Sequence, residues 1–413
     1  MTTVDGRKVR IIDQGKLNKD SGPDFFNATI KLDGQTWSGD VEIHVKASDW
    51  YRHHHDTDSA YRSVILHVVE KDDATVTIPG GNQPIPQVRL ICAHDFKDYF
   101  VYLTTHAIDS LPCAQQLATM EPLRVTDWIT ALAFERIIDK STRIEHLLEL
   151  TTGNWEETCY ITLARALGTS TNSEPFQRLA QATPLRIVGK HSDNLTIIES
   201  LLLGQAGLLE NDVPGNKYLA SLRTEYAFLV NKFGLQRPHD LNWKTGRMRP
   251  ANFPHRRIAW LARYLHGGFR LLSDLLNATT LDEARQVFRQ KMEGYWTTHY
   301  NFNDTEGVSF TGISAATVDT LVINVAVPIL YTYALHNLQG AEAQAMQERA
   351  IAWLEMMEPE RNFITNMFTH AGLDCKNAFS TQAVIQLRRN YCEARKCIYC
   401  RFGHRLLSQR ATV

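Results

Sequence analysis

Residues 18–70 read NKDSGPDFFNATIKLDGQTWSGDVEIHVKASDWYRHHHDTDSAYRSVILHVVE, and this stretch decides the fold of the N-terminal region. Within it, residues 25–31 and 37–46 alternate with a period of two, which is typical of strands that bury one face. Asp33-Gly34 between them favours a hairpin turn. The two segments therefore predict an antiparallel strand pair.

The register of this hairpin decides which polar residues meet. A loop with an odd number of residues places Asp24 across from Glu42 or His44, on one face of the sheet. A two-residue loop places Asp24 opposite Ile43, unless a bulge at Ser38-Gly39 resets the register. Two carboxylates that meet across a hairpin predict an oxygen-rich site for Mg or Mn.

Pro23-Asp24 followed by Glu42-Ile43-His44 resembles the signature of the PD-(D/E)XK nucleases. The resemblance implies metal-dependent hydrolysis of phosphodiester bonds in DNA or RNA, with Asp24 and Glu42 as ligands of Mg or Mn. It also implies that His44, at the position of a Lys in that family, orients the attacking water, and Lys46 on the same strand face could substitute. The alternative is structural: Asp24 caps a turn and Glu42 faces solvent.

The longer series SGPDF, GDVEIH, SDW, H-x-H followed by a Tyr, and ILHVV resembles a bacterial family, the domain of unknown function 2851 family. The resemblance extends over nearly the whole chain, including the late cysteines. The family name implies no activity. A non-catalytic nucleic-acid-binding or scaffolding protein with a degenerate nuclease fold is therefore the alternative to a nuclease.

A polar segment directly after the hairpin is a candidate second metal cluster. Imidazole and carboxylate groups suit zinc, iron or manganese, and the candidates are His53, His54, His55, Asp56 and Asp58. A polar loop beside the site is the alternative. His67 lies in the apolar run 64–69, which predicts a central strand, and a histidine there is typical of a hydrogen-bonded core residue.

Length and composition predict more than one domain and exclude an overall basic protein. The chain has 413 residues, 44% hydrophobic and 22% charged, with a formal net charge of -1, so nucleic-acid contacts would need local basic patches. We expect domains at 1–115, 116–365 and 366–413.

The apolar runs are too short for a membrane span and the start is not a signal peptide, which predicts a cytoplasmic protein without membrane contact.

From residue 122 onward the apolar spacing changes to the period of a helix. Helices are predicted at 123–150, 155–167, 173–181, 193–204, 217–233, 255–278, 281–290, 318–338 and 341–357. The predicted fold class is α+β: an N-terminal, mainly antiparallel nuclease-like sheet, then an irregular all-helical domain with a C-terminal Cys cluster.

One connection, NWKTGRMRPANFPHRR at residues 242–257, is strongly basic. Its cations are Lys244, Arg247, Arg249, Arg256 and Arg257, and they alternate with Trp243 and Phe253. Guanidinium groups bind phosphate oxygens and aromatic rings stack on bases, so the loop predicts a contact with DNA or RNA. The alternative is an ordered loop whose arginines bind helix carbonyls or pair with carboxylates.

The C-terminal segment carries Cys375, Cys392, Cys397 and Cys400. The spacing C-x4-C-x2-C after a more distant Cys predicts a structural, tetrahedral zinc site, in which His370 or His404 could replace Cys375. An iron-sulfur cluster is an alternative because cysteine thiolates also hold such clusters. Buried thiols without a metal are the remaining possibility.

Overall fold

The computed structural model describes residues 1–18, 21–90, 94–105, 111–210, 213–307 and 309–411. The chain forms two compact units, residues 1–107 together with 397–413, and residues 108–396. A six-stranded sheet occupies the first unit and helices form the second, so the predicted α+β class is confirmed.

The strands are β1 (Val9–Asp13), β2 (Lys16–Leu17), β3 (Phe25–Leu32), β4 (Gln35–Lys46), β5 (Val64–Lys71) and β6 (Gln87–Arg89). They follow the order β1-β3-β4-β5-β6, and β2 also pairs with β3. Pairs among β1 to β4 are antiparallel, whereas β4–β5 and β5–β6 are parallel. The sheet is therefore mixed, because residues 47–63 are long enough to cross over and return β5 in the direction of β4. The predicted antiparallel, nuclease-like sheet is not confirmed.

Two residues turn the chain between β3 and β4. Asp33 and Gly34 have φ values of 46° and 91°, the positive values of a two-residue turn that matches the twist of the strands. Such a turn by itself would leave Asp24 out of register with Glu42.

A β-bulge at Asn27 restores the register. The pairing shifts by one residue between Phe25 and Ala28, and Asn27 within the shift has a φ of 56°. Asn27 donates its backbone N–H to Asp40 Oδ1 at 3.0 Å, which stabilises the bulge. The bulge that resets the register therefore lies at Asn27 on β3, and not at Ser38-Gly39 on β4, where the sequence predicts it.

The β4–β5 crossover contributes Trp50 and Tyr61 to one of the hydrophobic clusters of this unit. The buried members of that cluster are Trp50, Tyr61, Val64, Val76 and Ile85. The fully buried Trp50 has its ring centroid 5.5 Å from that of His55 and 5.3 Å from that of His67. The crossover thus packs its apolar core directly against the imidazoles of the candidate site.

The helices of both units are short, apart from a few long ones in the second unit. They are α1 (Asp49–Arg52), α2 (His94–Thr105), α3 (Ala114–Leu117), α4 (Pro122–Leu150), α5 (Trp155–Leu167), α6 (Ser173–Ala182), α7 (Leu185–Val188), α8 (Leu195–Gln205), α9 (Lys217–Phe233), α10 (Pro254–Leu265), α11 (Leu271–Asn277), α12 (Leu281–Val287), α13 (Ala315–Leu321), α14 (Val327–Asn337), α15 (Gly340–Met356), α16 (Phe363–His370), α17 (Ala378–Gln386) and α18 (Arg401–Ala411). Single 3₁₀ turns occur at Ser59–Tyr61, Gly189–His191, Pro250–Asn252 and Gly294–Thr297, and π-helical segments at Val322–Ala326 and Leu387–Cys392.

Local sequence explains where several helices begin and end. Five begin at an asparagine whose side chain accepts a first-turn N–H, namely Asn154, Asn194, Asn216, Asn362 and Asn377. The single helix predicted over 255–278 is wrong. Gly267 and Gly268 have φ values of 89° and 102°, which end the helical path between α10 and α11.

Within the described ranges, one helical stretch, Ala315–Asn337, is long and apolar enough by length and composition to cross a membrane. Two thirds of its most apolar window, 67%, is buried inside the protein, as in the core helix of a folded unit. The cytoplasmic location stays a prediction.

Glu199 on α8 is a buried acid in the helical unit, and it makes stability depend on pH. Its Oε2 accepts a hydrogen bond from Tyr218 Oη at 2.5 Å, but burial raises the Glu199 pKa to about 7. The folded state therefore holds this proton between about pH 4.5 and 7, where the unfolded chain releases it. Stability should fall as pH rises through that window.

Glu199→Gln keeps an oxygen acceptor for Tyr218 and removes the ionisation. We expect the free energy of unfolding of the variant, relative to wild type, to rise between pH 5 and pH 8 by up to about 3 kcal/mol. Denaturant unfolding of both proteins at pH 5, 6, 7 and 8 measures this difference. A constant difference across the four pH values would contradict it.

Candidate metal centre

Strand geometry places the first residues of the site. Glu42 and His44 are two positions apart on β4 and so share a face of the sheet. Glu42 is also in parallel register with His67 on β5. The side chains of all three residues therefore lie on one surface, which the crossover covers.

The crossover contributes two more imidazoles through a tight turn. His53 caps the end of α1, and His54 after it has a φ of 62°. This left-handed residue reverses the chain, and the His55 N–H then donates to the Trp50 carbonyl at 3.0 Å. His53 and His55 reach the same place because of this turn, and not because the segment is extended.

His44, His53 and His55 form a candidate metal site. One ligand atom from each lies within 4.8 Å of the others, and no other such group of three or more His, Cys, Asp or Glu is found among the described residues. His44 Nε2 and His53 Nδ1 are 3.2 Å apart. Two nitrogens bound to one tetrahedral zinc would be about 3.3 Å apart, given bonds of about 2.0 Å.

Glu42 adjoins two of these imidazoles. Its Oε1 lies 3.4 Å from His44 Nε2 and 3.4 Å from His55 Nε2. The side chain is buried, and burial followed by the charge of Asp24 raises the Glu42 pKa to about 7. A cation at the histidines would favour the ionised carboxylate instead.

A chain of hydrogen bonds from Gln87 sets the tautomers of the buried histidines. Gln87 Nε2 donates to Asp72 Oδ1 at 2.8 Å and to the Ala74 carbonyl at 3.1 Å. Its Oε1 therefore accepts from His67 Nδ1 at 2.9 Å, which leaves His67 Nε2 to accept from His44 Nδ1 at 2.9 Å.

The result is a lone pair on His44 Nε2, the atom that faces His53 and Glu42. Burial, with the neighbouring imidazoles His67, His55 and His53, lowers the His44 pKa to about 4, so the ring is neutral at pH 7. A neutral imidazole whose other nitrogen donates to an outer partner is the arrangement that metal-binding histidines use.

Gln87→Met should weaken metal binding about 10- to 100-fold, because His67 then loses its acceptor and His44 its tautomer. Competition titration with a chelating dye measures the affinity. Gln35→Met, at an exposed position in the same sheet, is the matched control and should leave the affinity unchanged. Equal affinity for all three proteins would show that the hydrogen-bond chain has no part in metal binding.

Asp24 supports Glu42 by backbone contacts. Because Phe25 pairs with Val41, Asp24 lies opposite Glu42. The Asp24 N–H donates to Glu42 Oε2 at 3.0 Å, and Asp24 Oδ2 accepts from the Ile43 N–H at 2.9 Å. The structure thus brings Asp24, Glu42 and His44 together, while a shared Mg or Mn at Asp24 and Glu42 stays a prediction.

The remaining polar residues of this region lie outside the histidine group. Lys46 is exposed, and its N–H donates to Asp49 Oδ2 at 3.2 Å. Asp58 caps the 3₁₀ turn by accepting the Ala60 N–H at 2.9 Å. His54 is exposed and Asp56 half-buried, and neither belongs to the group.

The basic loop divides into exposed and buried cations. Lys244, Arg247 and Arg249 are exposed. Arg256 and Arg257 are buried on α10. Arg256 pairs with the Glu306 carboxylate at 2.5 Å, and Arg257 Nη2 donates to Asn252 Oδ1 at 2.5 Å. Arg256 thus has the carboxylate partner that the structural alternative describes, whereas the partner of Arg257 is an amide oxygen. Contact of the loop with DNA or RNA stays a prediction.

The four C-terminal cysteines are divided between the units. Cys375 and Cys392 belong to the helical unit, and Cys397 and Cys400 to the sheet unit. Cys397 Sγ lies 3.8 Å from the Leu103 carbonyl, and burial, with Cys400 nearby, raises the pKa of the Cys397 thiol. Zinc or an iron-sulfur cluster at these cysteines stays a prediction.

Comparison of the sequence with models of protein families assigns the chain to one family. The model of the family described as Protein of unknown function (DUF2851) matches residues 1–363, a range that contains the histidine group and ends before the four cysteines. No curated protein and no solved structure matches the chain. The resemblance to PD-(D/E)XK nucleases stays a prediction. The match covers most of the chain, and the protein belongs to the DUF2851 family.

Proposed function

We propose that this protein is a metal-dependent hydrolase whose metal is held by His44, His53 and His55. The observation that supports the proposal is the convergence of the three ligand atoms within 4.8 Å, with the tautomer of His44 set by the chain from Gln87. Imidazole nitrogens suit zinc and iron, whereas Mg prefers oxygen ligands. Zinc is therefore the first metal proposed for the site.

His44, His53 and His55 would hold the metal, and a zinc ion with three imidazole ligands would supply hydroxide at neutral pH. Glu42 Oε1 is the proton acceptor at the site, because it adjoins His44 and His55. His53 is exposed, so a substrate reaches the metal from its side. Trp50 and Tyr61 hold His55 in place: Tyr61 stacks on the His55 ring at 3.8 Å.

The proposed substrate is a phosphodiester of DNA or RNA. The choice of substrate rests on the nuclease-like residues Asp24, Glu42 and His44, and on the exposed cations of the basic loop. The competing function is a nucleic-acid-binding or scaffolding protein in which the metal only supports the fold. An exposed, water-accessible imidazole at the centre favours the enzyme, since structural zinc sites are closed.

Hydrolysis of bis-p-nitrophenyl phosphate, single- and double-stranded DNA and RNA, measured with Zn, Mn or Mg after metal removal, tests the proposal. We expect about one equivalent of metal at the histidines and faster hydrolysis with Zn or Mn than with Mg. Asp24→Ala, which removes the carboxylate that binds the Ile43 N–H, should lower the rate. Metal binding without hydrolysis of any substrate would favour the binding function, and protein that binds no metal would reject the centre itself.

A further inference from the structure

The helical unit contains a half-open cavity of about 810 Å³ that is rich in cations. Five cationic side chains and two carboxylates line it: Arg136, Lys140, Arg143, Arg165, Arg389, Glu360 and Glu393. The four arginines alone exceed the carboxylates by two positive charges, and the excess is three when Lys140 is protonated, in a chain whose net charge is -1. The volume lies in the range typical of small-molecule sites.

Lys140 brings a buried amino group to this cavity, and burial, followed by the charge of Arg136, lowers the pKa of that group well below its usual value. It is 7% exposed and donates to Gln382 Oε1 at 2.7 Å and to the Ile323 carbonyl at 3.1 Å, both neutral acceptors. The nearest carboxylate in this network, Glu360, accepts from Gln382 Nε2 instead. The ammonium form is costly without a direct carboxylate partner, and an anion in the cavity would favour it.

Arg143 and Arg389 are cations available to a ligand. Both are exposed, and neither has an ion pair or side-chain hydrogen bond in the part of the chain that the structure describes. Burial, followed by the charges of Arg389 and Arg143, lowers the pKa of Arg136 to about 10. A guanidinium keeps its proton at neutral pH, so this crowding of like charge remains as a cost of folding.

The backbone around the cavity is irregular at two places. Both π-helical segments of the described chain contribute to its lining, Val322–Ala326 through Asn324 and Leu387–Cys392 through Arg389. The first segment also presents the Ile323 carbonyl to Lys140. Such segments are costly in isolation and occur often at functional sites, where they orient side chains that a regular helix would not.

We propose that this cavity binds a small ligand with at least two phosphate groups, of the nucleoside diphosphate or pyrophosphate class. Two phosphate groups carry about three negative charges at neutral pH, which matches the excess of the lining when the bound anion keeps Lys140 protonated. Arginine forks bind phosphate oxygens in pairs, and Arg143 and Arg389 are free to do so. The proposal is independent of the hydrolase function, because every residue it uses lies in the helical unit.

Isothermal titration of the full-length protein with ADP, pyrophosphate, inorganic phosphate and a 20-residue oligothymidine, at physiological salt, tests the proposal. We expect one site per chain for ADP and pyrophosphate, and weaker binding of inorganic phosphate. Arg143→Gln and Arg389→Gln should each weaken binding about 10-fold or more, the loss typical of one charge-assisted contact. Arg124→Gln, an exposed arginine on the same helix α4 as Arg143, is the matched control and should bind like wild type.

Thermal unfolding without ligand separates a ligand role from a structural one. Replacement of Arg143 or Arg389 relieves like-charge crowding, so the ligand-free variants should melt no lower than wild type. If either arginine had a structural role, its replacement would lower the melting temperature. Arg389→Lys keeps the charge but not the fork, and should bind with intermediate affinity. Absence of ADP and pyrophosphate binding, equal affinity in the Gln variants and wild type, or binding of the oligonucleotide alone would each overturn the proposal.

Discussion

His53→Ala is expected to yield folded protein that has lost the metal of the histidine centre. The substitution removes one of the three proposed ligands, so the affinity should fall by more than the roughly 10- to 100-fold cost of losing an outer partner. His53 is exposed, and its ring lies against His44, His55 and Arg52. The sheet should therefore fold normally. Elemental analysis, together with circular dichroism, measures both expectations.

His54→Asn is the matched control for that experiment. His54 is the neighbouring residue, lies outside the ligand group, and has a positive φ that asparagine tolerates. It should retain metal and activity like wild type. Loss of metal from both variants would place the effect in the turn and not in the ligand. Metal that survives His53→Ala but not Cys397→Ser would assign it to the cysteines.

Glu42→Gln is expected to retain metal and lose about 10²- to 10⁴-fold in kcat, the contribution typical of a positioned general base. Glutamine has nearly the same shape and can still accept the Asp24 N–H, so the hairpin should be preserved. Steady-state kinetics on the same phosphodiester, with metal content measured on the same sample, tests this prediction.

The two measurements on Glu42→Gln distinguish three roles. A fall in kcat with metal retained indicates the proton acceptor. Loss of metal indicates that Glu42 is itself a ligand, which contradicts the assigned role. Unchanged kcat and unchanged metal content would show that the carboxylate takes no part in the reaction.

Much of the site follows from local pattern. Alternation on β4 predicts that Glu42 and His44 share a face, and residue type predicts that His53 and His55 suit a metal. Their meeting at one centre is harder to predict, because it depends on the parallel return of β5 and on the left-handed turn at His54. The strand return and the turn both depend on packing around the buried Trp50. A short sequence window does not contain these packing contacts.

The basic loop shows that sequence predicts which residues are charged but not which of them are buried. Five cations within fourteen positions predict a charged surface, yet Arg256 is completely buried beside Glu306. Sequence spacing counts charges but does not contain the partner, which is fifty positions away. The cationic cavity cannot be predicted from sequence for the same reason, because its arginines come from helices far apart in the sequence, such as α4 and the segment Leu387–Cys392.

The turn at His54 also has a consequence for how the protein folds. Glu42, His44, His53 and His55 all lie within residues 42–55, so bringing them together closes only a short loop and costs little chain entropy. Such a short-range cluster can assemble before the distant strands pair. A metal ion would then act on the nascent chain as a local cross-link, starting the crossover whose direction makes the sheet mixed.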